Sequence, residues 1–127
     1  MIKGYEESIM KEIRMREISK ADWKLFREKI PVWQEHYMEK LVEEYVILLT
    51  DKDKTASAKF WTLEKRIKED RRKPGVLISM RKPEAIRDII MLIHDGAISL
   101  EDLKDFSDDL QETVTYIVNR DRCEFSW

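Results

Sequence analysis

The sequence predicts an all-α protein, a small bundle of about five helices built around a long antiparallel helical hairpin. Apolar residues make up 43% of the 127 positions and charged residues 39%, which is typical of amphipathic helices with one buried stripe and a charged outer face. Only three Gly and three Pro are present, whereas many-stranded β folds need more turns. A chain of this length fits one domain, residues 1–127.

The first part of the chain predicts a helical arm followed by a kinked helix. Residues 1–18 are assigned to the N-terminal helical arm. Ser19, with Asp22 three positions on, is typical of a helix N-cap. A helix follows from about residue 20, and Pro31 predicts a kink or break just before it, because proline removes an amide donor and clashes with the preceding turn. Residues 20–72 are thus expected to hold a kinked helix and then the hairpin.

The hairpin is predicted over residues 32–72. Its first helix carries two adjacent apolar rows, Trp33, Tyr37, Leu41, Tyr45 and Leu48 in one, and Met38, Val42, Val46 and Leu49 in the other. Its second helix has a row that we assign to the core: Ala56, Phe60, Leu63 and Ile67. The polar link between them is short, which favours antiparallel packing.

The C-terminal part, residues 83–118, is predicted to hold two helices. Residues 76–80 could be a strand, a short helix or a buried connector, and no partner strand is evident. Pro83 suits the first turn of a helix that ends at Asp95-Gly96. Ser99, with Asp102 three positions on, is expected to cap the last helix. Residues 119–127 are assigned to a tail.

Several classes of function are disfavoured by the sequence. Cys123 is the only cysteine, so no internal disulfide can form, and a reducing, cytoplasmic setting is expected. The N-terminus lacks the pattern of a secretory signal, and no apolar run is long enough to span a bilayer. No Gly-rich phosphate loop, nucleophile elbow or zinc spacing occurs. We therefore expect no cofactor and no enzymatic activity.

The helical carboxylates around His36 form a candidate metal site. Glu35, Glu39 and Glu43 follow one another at one-turn intervals. The Glu-x-x-His motif of di-iron bundles is nevertheless absent, and His94 belongs to a different predicted helix. A solvated acidic face is the better interpretation, so no metal ligand is predicted and a metal-binding bundle ranks last among the functions considered.

The charge is distributed unevenly along the chain. Residues 1–50 carry a net charge of −1, residues 51–90 carry +5, and residues 91–127 carry −6, within a total of −2. The basic cluster consists of Lys65, Arg66, Lys68, Arg71, Arg72 and Lys73. The acidic cluster is Glu101, Asp102, Asp105, Asp108, Asp109 and Glu112. Both clusters complement helix dipoles, although they also suit a charged oligomer interface or, for the basic cluster, contact with nucleic acid.

The leading functional hypothesis is a protein–protein interaction or oligomerisation module. The paired apolar rows make a face broad enough to contact more than one neighbour, and an exposed aromatic side chain there could anchor a partner. The predicted contact residues are Trp33, Tyr37, Leu41, Tyr45 and Trp61. The expected partner is a second copy of the chain in a dimer, or another protein. The alternative is a nucleic-acid-associated accessory protein that uses the basic cluster.

Four short segments carry a resemblance to known sequences. They are residues 61–70 (WTLEKRIKED), 73–76 (KPGV), 95–99 (DGAIS) and 103–110 (LKDFSDDL). Together they resemble short, uncharacterised helical proteins of Gram-positive bacteria, over about half of the chain. The resemblance implies a bacterial cytosolic protein, and it implies no activity or functional residue.

Overall fold

The computed structural model describes residues 18–125, with side chains as far as residue 121. Over this range the chain forms four α-helices, α1 (Lys20–Leu49), α2 (Ala56–Asp70), α3 (Ala85–His94) and α4 (Asp108–Phe125), with short 3₁₀ helices at Lys82–Glu84 and Leu100–Leu103. No strand occurs among these residues, so the all-α prediction is confirmed. The helical arm predicted over residues 1–18 falls outside the described residues, apart from Ile18.

Helix α1 begins where the sequence predicts it. The Ser19 side chain accepts a hydrogen bond from the Asp22 backbone N–H at 3.1 Å. The helix is then continuous through Pro31 to Leu49, so a break at Pro31 is wrong. Proline removes one backbone hydrogen bond, but Ile30 and Trp33 on either side are buried, and this burial holds both halves in one helix.

The hydrophobic core lies between the first half of α1, α3 and α4. Phe26 of α1 packs edge-on against Trp33, and Trp33 is stacked on Phe106 at a ring separation of 6.1 Å. The other core residues come mainly from α3 and α4, and α2 supplies none. The prediction that the bundle is built around the 32–72 hairpin is therefore wrong. The isoleucines of α3 and the apolar side of α4 offer more surface to bury than the charged α2 does.

Helix α4 starts later and ends later than the sequence predicts. The capping box of Ser99 and Asp102 does form, but it precedes only the 3₁₀ helix. The α4 cap is Ser107, whose Oγ accepts from the Leu110 N–H at 3.3 Å. The same hydroxyl donates to the buried Asp22 carboxylate at 2.5 Å, which ties the start of α4 to the start of α1. Because α4 continues to Phe125, the assignment of residues 119–127 to a tail is wrong as far as residue 125.

The segment between α2 and α3 is a connector without regular structure around residues 77–81. Pro74 and Gly75 are buried, and the Gln34 Nε2 donates to the Pro74 carbonyl at 3.0 Å. Further along, Leu77 is largely exposed. Of the three possibilities for residues 76–80, the structure therefore shows a connector, and it is only partly buried.

Asp88 of α3 carries the one acidic side chain whose pKa is clearly raised in the described part of the chain. Burial, reinforced by the charge of Glu84, raises the pKa of Asp88 from 3.8 to about 6. Its Oδ2 is buried without a hydrogen-bond partner. Since the unfolded carboxyl ionises near its ordinary pKa, the folded state binds more protons between pH 3.8 and 6, and its stability falls as the pH rises through that range.

We expect Asp88→Asn to raise the free energy of unfolding at pH 7 by about 1–3 kcal/mol, because two pKa units correspond to roughly 3 kcal/mol. The gain should shrink toward zero as the pH falls below 4, where Asp88 becomes protonated in both the folded and the unfolded state. Urea unfolding of the wild type and the variant between pH 3.5 and 7 measures this difference. Glu112→Gln, at an exposed position of α4, is the control. A gain that is independent of pH would contradict the assigned role of ionisation.

Candidate interaction surface

The apolar row predicted as the contact surface is mostly turned inward. Trp33, Tyr37 and Leu41 are all buried, because Trp33 enters the aromatic core and Tyr37 lies against Gly75. Tyr45 is half-buried. Only Trp61, on α2, is exposed, with 64% of its surface accessible. The prediction that Trp33, Tyr37 and Leu41 form a free contact surface is wrong, because these side chains are buried within the fold.

The adjacent row of α1 is the exposed one. Val42, Val46 and Leu49 recur at helical spacing and are 45–56% exposed. A second exposed row lies on α2, where Phe60 and Ile67 are 63% and 43% exposed. The assignment of Phe60 to the core is therefore wrong. It belongs instead to an apolar row that no part of the described chain covers.

The two exposed rows border one groove. Val42, Tyr45 and Met38 of α1 line one side of a cavity of about 260 Å³, and Ile67 of α2 and Arg71, which directly follows α2, line the other. By helical spacing, Val46 and Leu49 continue the α1 wall toward the end of the helix. Leu63 and Phe60 continue the α2 wall in the same direction. We call the six side chains of this surface the arm face: Val42, Val46, Leu49, Phe60, Leu63 and Ile67.

A polar joint holds α1 and α2 together beside the groove. The Tyr45 hydroxyl donates to the buried Asp70 carboxylate at 2.5 Å, and Arg66 donates to Glu44 at 2.8 Å. Arg66 also lies 3.7 Å from Asp70 and over the Tyr45 ring. Burial, together with the Asp70 hydrogen bond, raises the pKa of Tyr45 to about 12. These contacts orient α2 on α1, so the arm face depends on the joint.

We expect Asp70→Ala to loosen α2 without unfolding the core. The substitution removes the only buried side chain of α2 and leaves Tyr45, Arg66 and Lys73 without their shared acceptor. Losing a charged hydrogen bond costs about 1.5–3 kcal/mol, so the amides of residues 56–70 should exchange with deuterium at least roughly tenfold faster. Tyr45→Phe, which removes a single hydrogen bond, should have a smaller effect. Equal acceleration in α3 and α4 would show that the joint stabilises the whole fold.

The basic cluster is only partly available for a ligand. Arg66 and Lys73 are engaged by the joint, and Lys68 pairs with Glu64 at 2.8 Å. Lys65, Arg71 and Arg72 are exposed. No ion pair joins this cluster to the acidic cluster within residues 18–121, where Asp105 pairs with Lys29 instead. Phe60 and Trp61 stand next to the cluster in edge-to-face contact at 5.0 Å.

The two histidines share no contact partner among the described residues. His94 contacts Asp121 at 3.1 Å, which links the end of α3 to α4, whereas His36 is exposed on α1. Across the described stretch, no group of three or more His, Cys, Asp or Glu side chains is placed to hold a metal ion. The Cys123 side chain lies beyond the described side chains.

Comparison of the chain with protein-family models, with curated proteins and with solved structures found no match. None of the helices described here is long and apolar enough to cross a membrane.

Proposed function

We propose that this protein is a protein–protein interaction or oligomerisation module whose contact surface is the arm face. The observation that carries the proposal is the concentration of half-exposed large apolar side chains on α1 and α2, at 43–63% accessibility for Val42, Val46, Phe60 and Ile67. Soluble proteins that leave contiguous apolar patches of several hundred Å² exposed generally use them for binding. The partner is a second copy of the chain, in a dimer, or another protein.

The position of the surface supports this proposal. The hairpin predicted over residues 32–72 supplies the surface, and no side chain of α2 belongs to the core formed by the described residues. Burying the arm face therefore requires no rearrangement of the bundle. Trp61, exposed at the outer edge of α2, adds a large aromatic group of the kind that dominates binding energies. We place the protein in the bacterial cytoplasm, on the basis of its single cysteine and its sequence resemblance.

A second function is favoured by one observation. Phe60 and Trp61 are exposed, and the exposed Lys65 lies one turn on from Trp61, so aromatic stacking and phosphate contact could combine on α2, as in proteins that bind single strands. Such an accessory protein would bind mixed-sequence RNA or DNA with an affinity that falls steeply with salt. Fluorescence anisotropy with labelled oligonucleotides at 50 and 200 mM salt tests this alternative, and the absence of salt-sensitive binding removes it.

The main proposal is tested by two measurements on the wild-type chain. Sedimentation velocity from 1 to 200 µM detects self-association, and affinity capture from a lysate of the source organism detects another protein. We expect association in at least one measurement, and its loss when the arm face carries charges at Val46 and Phe60. A monomeric chain that retains no protein in an arm-face-dependent manner would overturn the proposal.

A further inference from the structure

The arm face has an acidic edge and a basic edge. Residues 35–50 of α1 carry four acidic and one basic side chain, whereas residues 56–73 carry seven basic and three acidic ones. At 3.6 residues per turn, Glu39 and Glu43 fall beside the Val42 row on the side away from α2. Lys68, which also pairs with Glu64 of the same helix, falls beside the Ile67 row on the side away from α1. All three are exposed, so the apolar surface is flanked by opposite charges.

The acidic and basic edges also lie at the same height along the axes of α1 and α2. Contacts between α1 and α2 run in antiparallel order, because Glu44 meets Arg66 while Tyr37, further back, lies against Gly75, further on. Counted from the Glu44–Arg66 contact along the two antiparallel helices, Val46 is about level with Leu63. On the same scale Glu39 and Glu43 stand at the height of Lys68 and Arg71.

We propose that the arm face docks on a second copy of this chain, about a two-fold axis that runs parallel to α1 and α2. This inference rests on the proposed interaction function and names its partner. The α1–α2 pairs of the two copies then meet face to face, with α1 of each copy opposite α2 of the other. The acidic edge of each copy then faces the basic edge of its partner at the same height, and neighbouring helices are antiparallel, as in a four-helix bundle. The surface is complementary to itself, as a two-fold interface requires.

The available area is sufficient for such a dimer. The six side chains of the arm face are about half exposed, and at very roughly 150 Å² for each large side chain they leave on the order of 400 Å² of apolar surface per copy. Stable interfaces bury about 800 Å² per partner, with a polar rim around an apolar centre. The flanking carboxylates and ammonium groups supply that rim. A docked copy also fills the groove between Val42 and Ile67.

Charge reversal tests the arrangement. One variant carries Glu39→Lys and Glu43→Lys, a second carries Lys68→Glu and Arg71→Glu, and a third carries all four. If α1 faces α2 of the other copy, each double variant should bind itself at least tenfold more weakly than wild type at 50 mM salt. The fourfold variant should recover wild-type affinity, and so should an equimolar mixture of the two double variants. Circular dichroism of each variant confirms that it is folded.

Cysteine cross-linking supplies a second readout that depends on position alone. In a Cys123→Ser background, chains with Val46→Cys and chains with Leu63→Cys are mixed and oxidised. We expect disulfide-linked dimers in the mixture, and fewer with Val46→Cys alone. Faster linkage through Val46→Cys alone would place α1 against α1 and overturn the arrangement, as would double charge variants that associate like wild type.

The two proposals fail in different ways. Wild-type protein that remains monomeric at 200 µM overturns the second-copy inference. The interaction function then still holds if a different protein is retained from the lysate and is released by charges at Val46 and Phe60. It falls only when both measurements are negative.

Discussion

Placing charges on the arm face should abolish association while leaving the fold intact. We expect the double variant Val46→Glu, Phe60→Glu to raise the dissociation constant at least about 100-fold, because two central apolar contacts worth roughly 2 kcal/mol each are replaced by buried charges. Its melting temperature at low concentration should stay close to that of the wild-type monomer. Both side chains are more than half exposed, so neither supports the core.

The chain offers a closely matched control for this variant. Val32 of α1 and Tyr116 of α4 are 54% and 65% exposed, against 52% for Val46 and 63% for Phe60. Val32→Glu, Tyr116→Glu therefore adds the same charges at similarly accessible positions of the same residue class outside the arm face. Sedimentation equilibrium of the three proteins should show association in the wild type and the control only. Equal loss in the control would mean that added negative charge, and not the arm face, is responsible.

The largest effect on stability is expected at Gly75. A Cβ at this position would overlap the ring of the buried Tyr37. Gly75→Ala should therefore lower the free energy of unfolding by about 2–3 kcal/mol, in the upper part of the range of about 1–3 kcal/mol that overpacking usually costs. Gly96→Ala is the comparison, because Gly96 has a positive φ of 76° but open space around it, and the backbone strain there costs only about 1 kcal/mol. Urea denaturation of both variants gives the two values.

A double-mutant cycle identifies the cause of the loss at Gly75. In a Tyr37→Ala background the ring is absent, so Gly75→Ala should cost less than about 1 kcal/mol, and the coupling between the two sites should be strong. If Gly75→Ala costs the same in both backgrounds, its effect comes from the backbone conformation and not from the ring. Tyr37 would then have no special part in closing the connector over α1.

Local signals in the sequence predicted helices and caps well. Ser19 caps α1 as expected, and the isoleucine row of α3 is buried. These features depend on neighbours a few residues apart. The sequence favours Ser99 because Ser99 and Asp102 match a capping box, whereas the structure caps α4 with Ser107, which accepts from the Leu110 N–H three residues on. Its signal was present as Ser107 followed by two acidic residues.

The side of the hairpin that faces the core could not be predicted from spacing. Two adjacent apolar rows on α1 fit burial equally well, and the choice between Tyr37 and Val42 depends on where Gly75 and Asp70 lie in space. The row on α2 looked like core for the same reason. Apolar periodicity indicates that one face of a helix is buried. It does not show whether that face is buried by the same chain or by a second chain. The sequence therefore predicted an apolar contact surface on the hairpin, but most of the side chains that it named for this surface are buried.

The most direct measurement of the central claim is thiol accessibility at the arm face. In a Cys123→Ser background, Val46→Cys and Val32→Cys are labelled with a soluble maleimide at protein concentrations from 1 to 200 µM. If a second copy covers the arm face, labelling at position 46 should slow at least several-fold as the concentration rises, while labelling at position 32 stays constant. Equal labelling rates at both positions over the whole range would contradict the account.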